Sequence, residues 1–371
     1  MTTALAHRFA RTRARMVELG VDVVLLSVGP DLPWLTGYEA MPLERLTMLV
    51  LPRDGAASLV VPRLEAPRVR ERPDLFTVVA WEETDDPVQR VVQLMGAAGT
   101  AAIGDRTWAR FLIELQRQAP AVRFGRASEV IGPLRAVKDA TEIEALRRAS
   151  AAADRVALQL QAGEIALADR TEAEVSADLG QRLLAEGHQR VNFAIVAAGE
   201  NAASPHHEAG RRRIDRGDIV LCDFGGTMAS DDGIGYCSDL TRCVHVGPPR
   251  AERAEVYAVL HAAQAAGVAA ARVGATCQSV DAAARKVIAD AGYGSHFLHR
   301  TGHGIGVEEH EDPYIVSGNL TPLVAGHAFS VEPGIYLQGR WGARLEDIVV
   351  ATDAGPEPLN HANHSLVVVD T

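Results

Sequence analysis

Short apolar runs alternate with helical patterns over the first 130 or so residues. The apolar runs, which predict buried strands, are VDVVLLS, TMLVL, SLVVP, TVVAW and TAAIG. DPVQRVVQLMGAAG and WARFLIELQRQ carry apolar residues at helical spacing, and MTTALAHRFARTRARMVELG has the pattern of an amphipathic helix. We expect an α/β domain whose strands neighbour one another mostly in sequence order.

The pattern changes near residue 131. The segment IGPLRAVKDATEIEALRRAS contains a Gly-Pro pair, which predicts a break. The letters DATE follow it and predict the start of a long helix with acids in its first turn. We therefore predict an N-terminal α/β domain over residues 1–130 and a second domain over residues 131–371.

The second domain mixes helices and strands in a different order. A helix is predicted for TEAEVSADLGQRLLAEG, and strands for VNFAIVAAG and GDIVLCDFGG. Two further helices are expected between residues 250 and 292, with strand-rich sequence from there to the end. This mixture predicts an antiparallel sheet backed by helices, hence an α+β domain.

Composition and charge narrow the classes of function. Hydrophobic residues make up 47% of the chain, and no segment resembles a membrane span. The net charge of -11 argues against nucleic acid or an anionic membrane as the main partner. Four cysteines without a CxxC pair disfavour a disulfide framework or a structural zinc site. The first residues lack the features of a signal peptide, so we expect a cytoplasmic protein.

Four carboxylates occupy apolar strand sequences, where charged residues are rare. Asp223 is expected to end one strand, and Asp239, Glu332 and Glu346 lie in or beside three others. A carboxylate in such a place must be capped, paired or metal-bound to stay ionised. Turn caps, or ion pairs with the few arginines nearby, are the simpler interpretation of any one of them. Together the four acids are better explained by two divalent cations that offset their repulsion.

The segment HRTGHGIGVEEHEDP adds a candidate imidazole ligand. His303 lies between Gly302 and Gly304, which permit a close approach of the backbone to a site. One neutral imidazole with four carboxylates forms an oxygen-rich ligand set. This set suits Mn²⁺ first and Co²⁺ next, with Fe²⁺ and Zn²⁺ as further candidates.

Together these motifs resemble the pita-bread metallopeptidases, the group that contains methionine aminopeptidase, aminopeptidase P, prolidase and the metal-free creatinase. The resemblance covers nearly the whole chain, and PLRAVKDATEIEALRRAS is similar to the branch of prolidase and aminopeptidase P. It implies a creatinase-like α/β N-terminal domain followed by an α+β pita-bread catalytic domain.

The resemblance also implies roles for individual residues. It implies two metal ions held by Asp223, Asp239, His303, Glu332 and Glu346, with Asp239 and Glu346 bridging both ions. The stretch ASDDGIG widens the usual spacing between the first two ligands, and we interpret it as a short hairpin insertion. The implied catalytic residues are His206, His310 and Glu332, and the implied substrate-binding residues are His299 and Arg344. His207 is the weaker alternative to His206.

The implied activity is hydrolysis of the Xaa-Pro bond in a small peptide with proline at the second position. A dipeptidase (prolidase) is the main interpretation, although Tyr314 stands where many dipeptidases have an arginine. The alternatives are aminopeptidase P, which acts on longer peptides, a metal-free peptide-binding module, and a hydrolase of a small non-peptide amide. The family further implies a homodimer, with PWLTGY, residues 33–38, as a candidate contact with the neighbouring subunit.

Overall fold

Residues 4–370 are described in a computed structural model, in which the chain divides into two units. The first unit comprises residues 4–135 with the short segment Asp231–Ile234, and the second comprises residues 136–230 and 235–370. The first three residues of the predicted N-terminal helix lie outside the described range. Within that range, no helix combines the length and the apolar composition needed to cross a bilayer.

The first unit is built on one mixed sheet, as its alternating pattern predicts. Its helices are α1 Ala4–Leu19, α2 Asp31–Thr36, α3 Pro87–Met95, α4 Ala109–Gln118 and α5 Ser128–Ala136. Its strands are β1 Val23–Leu26, β2 Met48–Pro52, β3 Ala57–Pro62, β4 Phe76–Trp81, β5 Thr100–Ile103 and β6 Arg123–Arg126. The sheet order is β4-β3-β2-β1-β5-β6, so most neighbours follow in sequence and the α/β prediction is confirmed.

Two details of the first unit differ from the predictions. Gly132 and Pro133 lie inside α5 and do not end this helix. Val130 and Ile131 of the same helix are fully buried, and their packing offsets the cost of the proline. The side chains of Trp34 and Tyr38 are only 1% and 6% exposed. The segment PWLTGY therefore presents no exposed aromatic surface for the suggested subunit contact.

The second unit contains four α-helices and three sheets within the described residues. Its helices are α6 Ala140–Gln161, α7 Glu172–Ala185, α8 Ala251–Ala270 and α9 Cys277–Asp290. Its strands are β7 Arg190–Ala198, β8 Ile219–Ala229, β9 Gly235–Cys237, β10 Leu240–Val246, β11 Gly302–Gly304, β12 Glu311–Ile315, β13 Ala328–Val331, β14 Gly334–Leu337, β15 Trp341–Arg344, β16 Asp347–Thr352, β17 Gly355–Pro358 and β18 Val367–Val369. Short 3-10 turns lie at Ala66–Arg68 in the first unit and at Gly199–Ala203 and Gly294–His296 in the second.

The strands of the second unit are paired almost entirely antiparallel. One sheet has the order β18-β10-β8-β7, with β9 added to β8, and another has the order β12-β11-β13-β16-β17. β14 and β15 form a separate hairpin, and the pairing of β10 with β18 is parallel. The α+β prediction is confirmed.

Local signals at the start of α6 act as predicted. The Asp139 carboxylate accepts from the N–H groups of Thr141 and Glu142, and the Glu142 side chain accepts in return from the Asp139 N–H. This capping box satisfies helix donors that would otherwise lack partners. The predicted hairpin insertion is also present, since β9 folds back on β8 with Cys237 opposite Thr227.

Candidate metal centre

Strands from two sheets bring the four carboxylates together. Asp223 lies within β8, which continues to Ala229 and does not end at the aspartate as predicted. It is paired with Thr241 of β10, and Asp239 immediately precedes that strand. β13 and β16 are paired up to the residue before Glu332 and the residue after Glu346. The two glutamates therefore follow directly on the last pair of this ladder. A backbone hydrogen bond of 3.3 Å from the Glu346 N–H to the Thr241 carbonyl links the two sheets at this point.

Small residues around His303 allow its strand to lie very close to its neighbours. A Cβ atom on Gly302 would come within 1.8 Å of the Ser330 carbonyl oxygen, and one on Gly304 within 2.3 Å of the Asp312 carbonyl oxygen. The His303 N–H donates to the Ser330 hydroxyl at 3.0 Å. Glycine is needed here for close packing, as the sequence predicts, and this packing turns the imidazole toward the carboxylates.

All nine of the predicted site residues line one cavity of about 550 Å³, which is in the range of small-ligand pockets. They are Asp223, Asp239, His303, Glu332 and Glu346, the histidines His206, His299 and His310, and Arg344. The apolar part of the wall includes Phe193 and Ile195 from β7. A single site therefore contains acids, imidazoles and a guanidinium.

The imidazole of His303 is oriented like a metal ligand. Its Nδ1 lies 3.2 Å from the Gly304 carbonyl oxygen, which favours the tautomer with the proton on Nδ1. Its Nε2 lies 3.2 Å from Glu332 Oε1 and 3.7 Å from Asp239 Oδ2. A lone pair facing two carboxylate oxygens is repulsive unless a cation or a proton lies between them. Three possible ligand atoms lie within 4.8 Å of one another, one each from Asp239, His303 and Glu346.

The electrostatics of the carboxylates also call for a cation. Burial, and then the charges of neighbouring carboxylates, raise the pKa of Asp239 and of Glu346 well above their ordinary values. Burial opposes ionisation of Glu332 as well, whereas a proton on His303 Nε2, through its hydrogen bond and its charge, would lower the pKa of Glu332 to about 2. The Oδ1 atoms of Asp223 and Asp239 are buried without a hydrogen-bond partner.

These observations fit a divalent metal site. Hard oxygen ligands and one imidazole are the donors that such ions prefer, and a cation would satisfy the two orphan oxygens. Without a cation, burial and mutual repulsion favour protons on Asp239 and Glu346, which would normally be ionised.

Two hydroxyl residues that were not predicted from the sequence hold the carboxylates in place. Thr241 donates to Glu346 Oε2 at 2.6 Å, and Ser330 donates to Glu332 Oε1 at 3.0 Å. Each is two residues along the chain from a predicted ligand, so in an extended strand it lies on the same side. That spacing is a signal that could have identified them.

Arg344 is surrounded by protein acceptors. Its Nε donates to Thr241 at 3.1 Å, and one Nη donates to the Tyr336 hydroxyl at 2.9 Å and to the Pro205 carbonyl at 3.2 Å. Its other Nη donates to Asp223. Asp223 is therefore partly neutralised by an arginine, as the simpler interpretation of a buried acid suggested. Tyr336, which also lies 2.8 Å from His299 Nε2, was not predicted from the sequence.

The two adjacent histidines differ in their surroundings. His206 lines the cavity, whereas His207 Nε2 lies 2.7 Å from the fully buried carboxylate of Glu172. The rings of His303 and His310 are in edge contact with centroids 4.0 Å apart. Burial, and then the charge of His303, lower the pKa of His310 to about 4, and burial also lowers the pKa of His299. His299 and His310 are therefore neutral donors or acceptors near neutral pH.

Comparison with known proteins gives matches over both units. The chain matches metallopeptidase family M24 over residues 144–353 and the creatinase/prolidase N-terminal domain over residues 8–137. It is 44% identical over 368 residues to the probable dipeptidase PepE of Mycobacterium tuberculosis, covering 98% of this chain and 96% of the relative. It is 34% identical to the Xaa-Pro dipeptidase of Lactobacillus delbrueckii subsp. lactis, covering 95% and 96%. The crystal structure of recombinant prolidase from Thermococcus sibiricus matches with a TM-score of 0.92 at 34% identity and covers 100% of both chains.

Proposed function

The chain belongs to metallopeptidase family M24, and on that basis we propose that it is a Xaa-Pro dipeptidase, a prolidase. Its second unit has the pita-bread fold, and its first unit is a creatinase-type N-terminal domain. The observation that carries the proposal is the convergence of five ligand-type side chains and three histidines on one cavity. The relatives that match over the full length and are named dipeptidases or prolidases support the dipeptidase interpretation over the aminopeptidase.

We propose that two divalent ions, Mn²⁺ in the first place, are held in this cavity. Co²⁺, Fe²⁺ and Zn²⁺ are the other candidates. The residues that would hold them are Asp223, Asp239, His303, Glu332 and Glu346. When bound, ions of this kind act as Lewis acids toward a carbonyl group and toward water.

The residues of the chain then perform the remaining steps of amide hydrolysis. The oxygen of a water molecule forms a bond to the scissile carbonyl carbon, and the bond from that carbon to the proline nitrogen breaks. His206 and His310 donate hydrogen bonds to the carbonyl oxygen as negative charge develops on it. Glu332 accepts a proton from the water and passes it to the leaving nitrogen.

The substrate class follows from the chemistry of proline. The proline nitrogen of an Xaa-Pro bond carries no N–H, so an enzyme that cleaves this bond must recognise the shape of the ring. His299 and the apolar wall of Phe193 and Ile195 are suited to that contact. Arg344 contributes chiefly by holding Asp223 and Tyr336 in position.

A length series of substrates on metal-loaded enzyme tests the proposal. We expect hydrolysis of Gly-Pro and little hydrolysis of Gly-Pro-Gly or longer peptides. Comparable rates on the longer peptides would assign the chain to aminopeptidase P. Activity only on small non-peptide amides would make it an amide hydrolase of another kind. Binding of peptides without turnover and without bound metal would make it a peptide-binding module.

The adjacent histidines provide a matched pair of variants. We expect His206→Asn to lower kcat by about 100-fold, because one donor to the developing oxyanion is lost. His207→Asn should leave kcat within about twofold but lower the melting temperature, because the buried Glu172 loses a partner. Equal effects of the two substitutions on kcat would contradict the role of His206.

We also propose that the enzyme is a cytoplasmic homodimer and that residues 1–130 and 131–371 form its two domains. Family resemblance supports the dimer. Light scattering on the purified full chain and fractionation of cells test the two statements, and limited proteolysis tests the domain boundary.

A further inference from the structure

The cavity contains a second arginine that the proposed mechanism does not use. Arg300 lines the cavity beside His299 and is half-buried. Its guanidinium carbon lies 4.6 Å from the centre of the Tyr314 ring, so the aromatic face supports the cation. The side chain therefore presents a fixed positive charge to the same space as the metal ligands.

Among residues 4–370, the Arg300 guanidinium has neither a carboxylate within ion-pair distance nor a hydrogen-bond acceptor. Arg285 is a useful contrast, because it also stacks on an aromatic ring, that of Phe297, yet it donates to Asp281 and to two main-chain carbonyls. Arg344 likewise donates four hydrogen bonds to protein acceptors. Arg300 is thus the arginine of the cavity whose donors are free to bind a ligand.

The position of this charge relative to the reaction is also defined. After burial and His303, the charge of Arg300 is the next cause that lowers the pKa of His310, so the guanidinium lies near that imidazole. His310 in turn packs on the ring of His303. The Arg300 side chain therefore shares the cavity with His310 and His303.

We propose that Arg300, supported by Tyr314, binds the free carboxylate of the proline in an Xaa-Pro dipeptide and so selects dipeptides over longer substrates. In a dipeptide the carboxylate is attached to the residue that supplies the leaving nitrogen, so it must bind within the cavity. A planar guanidinium can hold it through two parallel hydrogen bonds. A longer peptide or an amide has a neutral carbonyl at this place, which leaves the arginine without a counter-charge. This assignment rests on the proposed function.

The assignment also accounts for the tyrosine at position 314. From the sequence alone, Tyr314 counts against a dipeptidase, because many dipeptidases have an arginine there. Here the Tyr314 ring stacks against the guanidinium of Arg300, and Arg300 itself lines the cavity. The cation comes from a different position in the chain.

Paired substrates that differ only in the terminal charge test the assignment. The kinetics of Gly-Pro and of Gly-Pro amide are measured on metal-loaded wild type and on Arg300→Gln. We expect the ratio of kcat/KM for the acid over the amide to fall by about tenfold to a hundredfold in the variant, mostly through KM. Arg300→Lys, which keeps the charge but not the planar fork, should retain part of the ratio. Arg110→Gln is the matched control, since Arg110 also stacks on a ring, that of Phe111, in the first unit.

A second measurement on the wild type does not depend on the folding of a variant. Proline should inhibit more strongly than prolinamide, by at least about tenfold. Wild type that hydrolyses neither substrate would overturn the proposed function and the role of Arg300 with it. Wild type that is active, with an unchanged acid-to-amide ratio in Arg300→Gln or equal inhibition by proline and prolinamide, would overturn only the role of Arg300.

Discussion

Hydroxyl groups beside the carboxylates decide how precisely the metal ligands are held. The Thr241 hydroxyl donates to Glu346 at 2.6 Å while it accepts from Arg344 Nε at 3.1 Å. The Ser330 hydroxyl donates to Glu332 while it accepts from the His303 N–H. Each hydroxyl therefore donates one hydrogen bond and accepts another, and in this way it connects a predicted ligand to a second group of the site. Contacts of this kind orient ligands and tune their affinity for a metal.

Replacement of Thr241 by valine tests that role with little change in shape. We expect Thr241→Val to weaken Mn²⁺ binding by about tenfold to a hundredfold, because Glu346 and Arg344 both lose a partner. Titration calorimetry on chelator-treated protein measures the change. Thr12→Val, which removes a buried hydroxyl from α1, is the control and should leave the affinity unchanged. Equal affinity in the Thr241 variant would mean that the hydroxyl only fills space.

Individual site residues differ in how well the sequence predicts them. The acids in apolar strands and His303 between its glycines stand out, because their residue types conflict with their surroundings. Whether they are the metal ligands stays a prediction. Thr241, Ser330 and Tyr336 are ordinary residues for buried strands. Their role depends on which atoms meet across two sheets and a hairpin, and composition and spacing do not contain that information.

The three-residue strand β11 is the element on which the imidazole depends. It lies between β12 and β13, and its two glycines leave no room for a side chain on either. Because such contacts involve main-chain atoms, a neighbouring rotamer change cannot relieve them. The backbone itself would have to move, and His303 would move with it.

A methyl group at Gly302 should therefore affect both stability and metal binding. We expect Gly302→Ala to lower the melting temperature and to abolish tight Mn²⁺ binding, because the new Cβ would meet the Ser330 carbonyl oxygen. Gly125→Ala in β6 is the matched control, since a Cβ there meets nothing within 4 Å and should change stability by less than about 0.5 kcal/mol. Thermal unfolding and calorimetry provide the two readouts. A Gly302 variant that binds metal normally would show that β11 tolerates displacement.

Elements are predictable where pattern and packing agree. β1 to β5 follow apolar runs, and α6 begins where its capping residues are. β6, with the sequence RFGR, lies at the edge of its sheet and is largely exposed, so it has no apolar run to reveal it. In α5 the burial of Val130 and Ile131 outweighs a proline, which only the tertiary structure can show.

Charge balance links the metal centre to the stability of the whole chain. The chain carries a net charge of -11, and the second unit buries Asp223, Asp239 and Glu346 together. Bringing buried acids together costs free energy, which divalent ions would offset. The folded protein is therefore expected to be more stable with metal than without it.

Metal addition should raise the melting temperature in a concentration-dependent way. A site filled at 100 times its Kd adds about 2.7 kcal/mol to the free energy of unfolding. For a unit of this size we expect a rise of about 5–10 °C after Mn²⁺ is added to chelator-treated protein. The variant Asp239→Asn with Glu346→Gln should lose this response, yet its metal-free form should be more stable than metal-free wild type, because repulsion is reduced. A metal-free variant that is no more stable would contradict the proposed balance of charges.

Acid sensitivity should arise in part from His327, which is away from the metal centre. Burial, and then the charge of Lys138, lower the pKa of His327 from 6.5 to about 4. Between these values the unfolded chain binds a proton that the folded chain does not, so the free energy of unfolding falls as the pH falls from 6.5 toward 4. The slope from one such group is at most about 1.4 kcal/mol per pH unit.

An asparagine in place of His327 tests this contribution. His327 Nδ1 accepts a hydrogen bond from the Val324 N–H at 3.3 Å. Asparagine keeps an acceptor for that N–H and does not titrate. Urea unfolding at several pH values should therefore give a shallower acid slope for His327→Asn than for wild type, whereas replacement of the exposed His7 should not. Identical slopes for wild type and His327→Asn would mean that His327 becomes protonated without loss of the fold, and that different titrating groups account for the acid sensitivity.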